Sequence, residues 1–291
     1  MRVAVTGATG MIGGAIVDAL RARGDEVTVL SRSTNWPAPK EEPPPAETLR
    51  GQDAVVNLLG ENIDQRWSDE AKAEIRDSRV LGTRNLVAGL RALPEAERPR
   101  VLVSQSGVGY YGARGDEVVT EDEPAGDDFL ARVCSEWEAE ALAASADGVR
   151  VVIPRTGVVL SPSGGALARM LPFFKAGLGG PIAGGRQYMP WVHQDDLPGV
   201  MLFAIDTQEL SGPVNLTAPE PVTNKEFARA LGRVLHRPTF APVPGAMMKL
   251  LYGERSLFVI TGQRAVPAKL EQAGYAFRQP ELDAALRAVT G

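Results

Sequence analysis

The sequence contains little cysteine and histidine: one cysteine, Cys134, and two histidines occur among 291 residues. A single cysteine excludes an intrachain disulfide and a metal site built from several cysteines. No run of eighteen apolar residues occurs, so the sequence predicts no membrane-spanning helix. No basic run or arginine stripe is present, and the net charge of −5 argues against a nucleic-acid partner.

The start of the chain is also informative. It begins directly with an apolar, strand-like segment, RVAVTG at residues 2–7, and not with the pattern of a signal peptide. We therefore expect a soluble cytoplasmic protein without a metal, either an enzyme or a cofactor-binding sensor. The length suits one large α/β domain or two smaller ones.

Short apolar runs alternate with helical patterns through the first two thirds of the chain. The predicted strands lie at residues 2–7, 26–32, 53–60, 99–106 and 150–160. The predicted helices lie at residues 11–22, 68–93, 127–144, 196–205 and 222–235, with two short helices closing the chain. This alternation predicts an α/β fold, a Rossmann-type doubly wound parallel sheet with a smaller C-terminal, substrate-side region. We place a nucleotide-binding core at residues 1–160, with later segments returning to it, and the substrate-side region at residues 161–291.

Three glycines stand at a spacing of three residues in VTGATGMIGG, residues 5–14, between the first strand and the first helix. Glycine lets the backbone turn tightly and approach a pyrophosphate, while the helix N-terminus offers free N–H groups to phosphate oxygens. An ordinary turn that holds no ligand is the alternative. The strand–turn–helix context favours a dinucleotide site.

The end of the second predicted strand indicates which dinucleotide binds. NAD sites usually carry an acidic residue there, but this chain has Ser31, Arg32 and Ser33. A guanidinium and two hydroxyls suit a 2′-phosphate, so we expect NADP(H). A solvated surface arginine is the alternative.

Segments further along the chain resemble the extended short-chain dehydrogenase/reductases. GATGMIG (residues 7–13) has their glycine spacing, and VSQSGVGYYG (103–112) is similar to the segment that carries their catalytic serine. Further segments resemble the atypical, epimerase-like branch, related to NAD-dependent epimerases and dehydratases and carrying its own C-terminal extension. They are RW at 66–67, SRVLGT at 78–83, CSEWE at 134–138 and GQRAVPAKL at 262–270, while WVHQDDL at 191–197 resembles a downstream segment common to the extended members.

The resemblance implies a set of site residues. NLLGENI (57–63) would lie along the adenosine and ribose, and PRTGVVL (154–160) would lie against the nicotinamide. Together with the glycine turn and the second strand, it predicts a cofactor site made of Gly7, Thr9, Gly10, Met11, Ile12, Gly13, Ser31, Arg32, Leu58, Leu59, Gly60, Glu61, Arg66, Gln105, Ser106, Pro154, Thr156, Gly157 and Val158.

One departure from the family bears on catalysis. Family enzymes carry a tyrosine and, four residues later, a lysine that lowers the pKa of the tyrosine. Here Leu130 and Cys134 align with that pair, and no tyrosine or lysine occurs at residues 113–150. The family's usual proton relay is therefore missing.

Three interpretations stay open. In the first, Ser106 acts with Tyr110 or Tyr111, and His193 is a further candidate acid. In the second, the fold binds NADP(H) without catalysis and serves as a sensor. In the third, Cys134 acts as nucleophile or acid, although a thiol on a helix is more often a small buried hydrophobe.

The remaining features concern the substrate side. GLGGPIAGG (177–185) is either a lid or a surface loop whose glycines serve turn geometry. An apolar helix at 245–252 either completes the pocket or forms a homodimer or partner surface. The expected substrate is a small carbonyl, alcohol or sugar-like molecule, and no membrane partner is expected. Asp195 and Asp196 are interpreted as a helix cap and surface charge, and not as metal ligands.

Overall fold

The computed structural model covers residues 1–291; side chains are described for all of them except those at positions 251, 252 and 258. In the described part of the chain, no helix combines the length and the apolar character needed to cross a membrane.

The strands follow one another along the chain as β1 (Arg2–Thr6), β2 (Glu26–Leu30), β3 (Ala54–Asn57), β4 (Val101–Ser104), β5 (Ser106–Gly107), β6 (Val118–Val119), β7 (Arg150–Thr156), β8 (Val158–Leu160), β9 (Tyr188–Met189), β10 (Trp191–His193), β11 (Gly212–Leu216), β12 (Val222–Thr223) and β13 (Arg264–Ala265). The helices are α1 (Met11–Arg23), α2 (Ala46–Leu49), α3 (Asp69–Arg91), α4 (Phe129–Leu142), α5 (Gly165–Lys175), α6 (Asp196–Asp206), α7 (Asn224–Leu235), α8 (Gly245–Tyr252), α9 (Leu257–Ile260), α10 (Ala268–Gln272) and α11 (Leu282–Thr290).

The main sheet has the strand order β11-β7-β4-β3-β1-β2, and β5 pairs with β7 at its side. The pairs β1–β2, β1–β3, β3–β4 and β4–β7 are parallel. The predicted doubly wound parallel sheet is therefore confirmed. The chain moves outward to β2 on one side of β1 and to β3 on the other, so the order reverses between β1 and β3, where such folds bind ligands.

Two compact units divide the chain. The first unit comprises Met1–Tyr110, Asp128–Arg155 and Leu197–Val214, and the second comprises Tyr111–Asp127, Thr156–Asp196 and Asn215–Gly291. Each has its own apolar core. In the first unit, residues such as Leu30, Leu86 and Leu102 form the core, and Trp36 from the proline-rich loop after β2 packs into it. The division at residue 160 given above stays a prediction.

The single strand predicted at residues 150–160 is two strands, β7 and β8, because the chain departs from the main sheet at Gly157. Its N–H donates to the Leu216 carbonyl at 3.0 Å. A Cβ at position 157 would lie 2.1 Å from the Pro190 carbonyl oxygen, so only glycine fits there. β8 then pairs in parallel with β10 in a separate sheet. The sequence did not predict this break, because residues 150–160 read as one continuous apolar run.

The glycine-rich segment at residues 177–185 is packed against its neighbours in the second unit. A Cβ at Gly180 would lie 2.1 Å from the Ala241 carbonyl oxygen. The Ala183 N–H donates to the Val243 carbonyl, and the Ile182 N–H donates to the Asn224 side chain. These contacts favour the interpretation that the glycines serve close packing and turns.

Asp196 and the apolar helix at residues 245–252 both belong to the second unit. Asp196 is fully buried and accepts hydrogen bonds from the backbone N–H groups of Arg278 and Gln279, so interpreting it as surface charge was wrong. The predicted apolar helix at 245–252 is present as α8, but its side chains at 251 and 252 lie outside the described residues. Its role in a pocket or a dimer stays a prediction.

Candidate functional site

The turn after β1 is built around Gly7. This residue has a φ of +64°, in the left-handed region that favours glycine. A Cβ there would lie 2.5 Å from the Leu58 carbonyl oxygen. The turn is closed by the Gly10 N–H, which donates to the Gly7 carbonyl at 3.1 Å.

Gly13 and Gly10 play different parts in this turn. A Cβ on Gly13 would lie 2.2 Å from the Gly7 carbonyl oxygen, so α1 can approach the turn only with glycine at that position. A Cβ on Gly10 would meet nothing closer than 3.4 Å, and its φ of −77° suits any residue. The fold itself therefore does not require a glycine at position 10, and the backbone there is exposed.

The first turn of α1 is suited to an anion. Gly10 is the N-cap residue, no described side chain caps the turn, and no acidic residue lies in it. Thr9 and Met11 are exposed beside it, and Ile12 is half-buried. Uncapped N–H groups and the positive end of the helix dipole together attract phosphate oxygens.

The end of β2 gathers hydroxyl groups. The Ser31 Oγ lies 3.1 Å from the Ser33 Oγ and 2.8 Å from the Thr34 Oγ1. The turn is held because three successive N–H groups, those of residues 34–36, donate to the Ser31 carbonyl. Arg32 is exposed and makes no ion pair with any described residue. This cluster can receive an oxyanion.

A buried polar network fixes the carboxyl edge of the sheet. The Asn57 side chain accepts from the Thr6 hydroxyl at 3.0 Å and donates to the Thr83 and Ser104 hydroxyls at 2.8 and 3.0 Å. The Thr83 hydroxyl also accepts from the Trp137 indole N–H at 2.9 Å. Since these residues lie on β1, β3, β4, α3 and α4, the network ties five elements together at one edge.

The loop after β3 lies against Arg79 of α3. Its residues Leu58 and Leu59 are half-buried, and Gly60 is exposed. The Arg79 Nη1 donates to the Glu61 and Ile75 carbonyl oxygens, both at 3.0 Å. A Cβ on Gly60 would lie 2.9 Å from the guanidinium carbon of Arg79. The guanidinium also faces the Trp137 ring at 5.3 Å.

Ser106 follows β4 and belongs to a buried trio. Its hydroxyl donates to Glu138 Oε1 at 2.7 Å, and the Arg155 guanidinium donates to both carboxylate oxygens at 2.9 and 2.8 Å. Glu138 comes from α4 and Arg155 from β7, and both side chains are almost fully buried. Within this trio the Ser106 hydroxyl is held in one orientation, with its proton directed toward Glu138.

The two candidate tyrosines lie in different surroundings. The Tyr110 ring is half-buried, and the Arg155 guanidinium carbon lies 3.5 Å from its centroid. Tyr111 is fully buried and its hydroxyl donates to Asn215 Oδ1 at 2.7 Å. The Tyr111 hydroxyl is thus engaged inside the second unit, which favours Tyr110 over Tyr111 for chemistry.

Cys134 lies next to Ser106, with which its thiol forms a hydrogen bond. Burial raises the pKa of the thiol to about 11, and the Glu138 carboxylate adds to this, while Arg79 and hydrogen bonds with Ser106 and Gly107 oppose it. A thiol with a raised pKa is a poor nucleophile at neutral pH. The burial and the raised pKa of Cys134 therefore argue against the interpretation of this residue as a nucleophile.

His193 is buried in the second unit. Its Nδ1 accepts from the Asp195 N–H at 3.2 Å, and burial lowers its pKa. The imidazole is therefore neutral at pH 7, with the remaining proton on Nε2.

The other predicted cofactor residues lie as follows. The Gln105 N–H donates to the Asn57 carbonyl at 2.9 Å, which places Gln105 at the same edge of the sheet. Arg66 is exposed in the loop before α3, and Pro154 is buried within β7. Thr156, Gly157 and Val158 belong to the second unit, where the Val158 N–H donates to the Pro190 carbonyl at 2.7 Å.

Two residues of this edge were not predicted as site residues. Arg79 occurs within the SRVLGT segment and Glu138 within the CSEWE segment, both quoted above only for the family resemblance. A signal for Arg79 exists in the sequence: Ile75, Arg79 and Leu86 share one face of α3, so an arginine interrupts an otherwise apolar stripe.

A comparison with known proteins now identifies the family. The model of the NAD dependent epimerase/dehydratase family matches residues 3–216. The chain belongs to this family. A second model, a domain of unknown function called DUF1731, matches residues 243–289, as expected for an epimerase family member with a C-terminal extension.

Relatives and solved structures agree with this assignment. The chloroplastic SDR39U1 homolog of Arabidopsis thaliana, an epimerase family protein, is 42% identical over 301 residues, covering 99% of this chain and 86% of that protein. Human SDR39U1 is 39% identical over 294 residues, covering 99% of each. The crystal structure of human SDR39U1 (isoform 2) with NADPH matches with a TM-score of 0.89 and 37% identity over 99% of each chain. The nucleoside-diphosphate sugar epimerase of Corynebacterium glutamicum matches with a TM-score of 0.79 and 34% identity, covering all of this chain and 58% of that one.

Proposed function

We propose that this epimerase family protein binds NADP(H) at the carboxyl edge of its main sheet and acts as an oxidoreductase on a small carbonyl, alcohol or sugar-like substrate. The observation that carries the proposal is the glycine turn. Gly7 and Gly13 are required by its close contacts, whereas Gly10 presents bare backbone beside an uncapped helix N-terminus. That arrangement fits a pyrophosphate.

The preference for NADP(H) rests on the end of β2. The Ser31, Ser33 and Thr34 hydroxyls and the exposed Arg32 side chain offer donors and a positive charge to a 2′-phosphate. An acidic residue, which would bond a ribose hydroxyl and repel a phosphate, is absent from residues 31–36 of the sequence. The human relative named above was crystallised with NADPH, which agrees with this preference.

The cofactor, when bound, supplies or accepts a hydride; the chain must move the accompanying proton. Ser106 is the residue we assign to the substrate oxygen, because Glu138 holds its hydroxyl in a fixed direction. Glu138, fixed by two hydrogen bonds from Arg155, can receive the Ser106 proton when Ser106 takes a proton from a substrate alcohol. Tyr110 is the second candidate for this transfer.

A second function, an NADP(H)-binding sensor without catalysis, is supported by one specific observation. Leu130 and Cys134 occupy the positions of the family's tyrosine and lysine, and burial keeps Cys134 a neutral thiol. Leu130 has no ionisable proton, and the raised pKa makes the Cys134 thiol a weak acid, so these two side chains do not reproduce the proton relay of the family's pair. In this alternative, Ser106 and Glu138 have a structural role only.

The test has two stages. Fluorescence titration of the purified protein with NADPH and NADH comes first, and binding with a clear preference for NADPH is expected. Incubation with NADPH deuterated at its transferable position and a panel of carbonyl compounds follows, with mass spectrometry of the products. Transfer of deuterium establishes the oxidoreductase; binding without transfer to any compound supports the sensor; no binding of either cofactor contradicts both.

A further inference from the structure

Arg79 differs from the other arginines of α3. Arg76, Arg84 and Arg91 lie on the outer side of the helix and form ion pairs with carboxylates of Glu136, Glu140 and Asp147. Arg79 points inward, and no carboxylate oxygen of a described residue lies within 4 Å of its nitrogens. The helix thus carries one arginine whose charge has no ion-pair partner within the described part of the fold.

The hydrogen bonds of Arg79 leave part of its guanidinium available. Nη1 donates to two backbone carbonyl oxygens, while Nε and Nη2, which lie beside Gly60, make no hydrogen bond to the described residues. Burial lowers the pKa of the guanidinium, but arginine still stays protonated at neutral pH. The Glu61 carboxylate acts on this cation only from beyond ion-pair distance, and a partly desolvated cation without a contacting counter-charge is unfavourable, so its two remaining donors point to an oxygen-rich ligand.

The strand order says which part of the cofactor would reach Arg79. The glycine turn follows β1, the hydroxyl cluster follows β2, and β3 and β4 lie on the opposite side of β1. A dinucleotide with its 2′-phosphate at β2 and its pyrophosphate at β1 therefore extends its nicotinamide half toward the ends of β3 and β4. Arg79 contacts the loop after β3 and lies near Cys134, which adjoins Ser106 after β4.

The same position relates Arg79 to the missing lysine. Cys134 stands where the family has its lysine, and the charge of the Arg79 guanidinium acts on the Cys134 thiol from the neighbouring helix. A positive charge is thus present beside the lysine position, although it comes from α3 and not from α4.

We propose that Arg79 is a cofactor-binding residue, whose Nε and Nη2 donate to the oxygens of the nicotinamide-nucleotide half of NADP(H). This inference rests on the proposed function, since it requires that the chain binds NADP(H). It places a cation from α3 beside the position at which the family has a lysine on α4. Gly60 keeps the approach to these nitrogens open, because a side chain at position 60 would collide with the guanidinium.

The experiment compares two ligands on three variants. NADPH contains both halves of the dinucleotide, and adenosine 2′,5′-bisphosphate contains only the adenosine half. Arg79→Gln removes the charge and Arg79→Lys retains it, while Arg84→Met is the matched control, an α3 arginine that pairs on the surface with Glu140. Thermal unfolding of each variant identifies the folded ones, and Arg79→Lys serves as the test if Arg79→Gln does not fold.

We expect Arg79→Gln to weaken NADPH binding roughly 10- to 100-fold, as for lost hydrogen bonds from a charged group, and to leave the affinity for the bisphosphate unchanged. Arg79→Lys should lose less NADPH affinity than Arg79→Gln, because the positive charge is kept although the forked geometry is lost. Its affinity for the bisphosphate should be unchanged. Arg84→Met should bind both ligands like the wild type.

Two results would overturn the inference. In one, folded Arg79 variants bind NADPH like the wild type. In the other, they lose affinity for both ligands equally, which would mean that Arg79 only supports the loop after β3. Failure of the proposed function is a separate result, because then the wild-type protein itself binds neither NADPH nor the bisphosphate.

Discussion

The Ser106 hydroxyl donates a 2.7 Å hydrogen bond to Glu138, a buried carboxylate that is held at both oxygens by Arg155. The catalytic serine expected from the sequence is therefore tied to an ion pair inside the first unit. Its direction is set by the fold, before any substrate binds.

The Glu138–Arg155 pair should be strongly coupled. Glu138→Gln removes the carboxylate charge that the buried Arg155 guanidinium contacts, and breaking a buried ion pair costs about 3–5 kcal/mol of unfolding free energy. The double variant Glu138→Gln with Arg155→Met removes both buried charges, so its loss of stability should be clearly smaller than the sum of the two single losses. Urea denaturation of the four proteins measures this. Strictly additive losses would show that the pair is not coupled in the folded state.

Arg32 should discriminate between the two cofactors. Arg32→Ala is expected to weaken NADPH binding about tenfold or more, because a guanidinium contact to the 2′-phosphate is lost, and to change NADH binding little. Parallel fluorescence titrations measure both affinities, with Arg23→Ala as a surface control outside the predicted site. Equal losses for the two cofactors would contradict the assignment of β2 to the 2′-phosphate.

Gly10 and Gly13 should respond differently to the same change. Gly13→Ala places a methyl group 2.2 Å from the Gly7 carbonyl oxygen and should impair folding. Gly10→Ala has room within the chain and should cost less than about 1 kcal/mol of stability. It should nevertheless reduce NADPH affinity, because its methyl group covers the backbone that the pyrophosphate approaches. Thermal unfolding and titration of both variants check this, and normal NADPH binding by Gly10→Ala would argue against a pyrophosphate at this turn.

Cys134 should be unreactive in the folded protein. With a pKa of about 11, raised mainly by burial, roughly one thiol in a thousand is ionised at pH 8. Its reaction with a disulfide reagent should be slow in the native state and fast after unfolding. Because the neutral thiol is favoured in the folded state, its contribution to stability is present below the ordinary thiol pKa of 9.0 and declines as the pH rises toward about 11. A Cys134→Ser variant should lack this decline, and a rapid native reaction at pH 8 would contradict the raised pKa.

The sequence predicted the elements that depend on local pattern. The glycine turn, the alternation of strands with helices and the capping box that starts α7 at Thr223 are all visible as short-range signals. The break at Gly157 was not predictable, because it depends on the Pro190 carbonyl, which is far away in the sequence.

For the site as well, short-range patterns were predictable from the sequence, and contacts between distant residues were not. Ser106 was predicted from its segment, but its bond to Glu138 joins residues 32 positions apart. Arg79 interrupts an apolar stripe of α3 in the sequence, but only the structure shows that no carboxylate oxygen of a described residue lies within ion-pair distance of its guanidinium. The sequence could not distinguish Tyr110 from Tyr111 as the candidate acid. Only the structure shows that the Tyr111 hydroxyl donates to Asn215.

The network centred on Asn57 has a consequence for the kinetics of binding. Its hydrogen bonds join the ends of β1, β3 and β4 to α3 and α4, so side chains of the protein itself hold this edge together. A nucleotide then meets a preformed surface and need not wait for the loops to rearrange. Stopped-flow mixing should therefore show a single phase whose rate rises linearly with nucleotide concentration, without the plateau that a slow closing step produces.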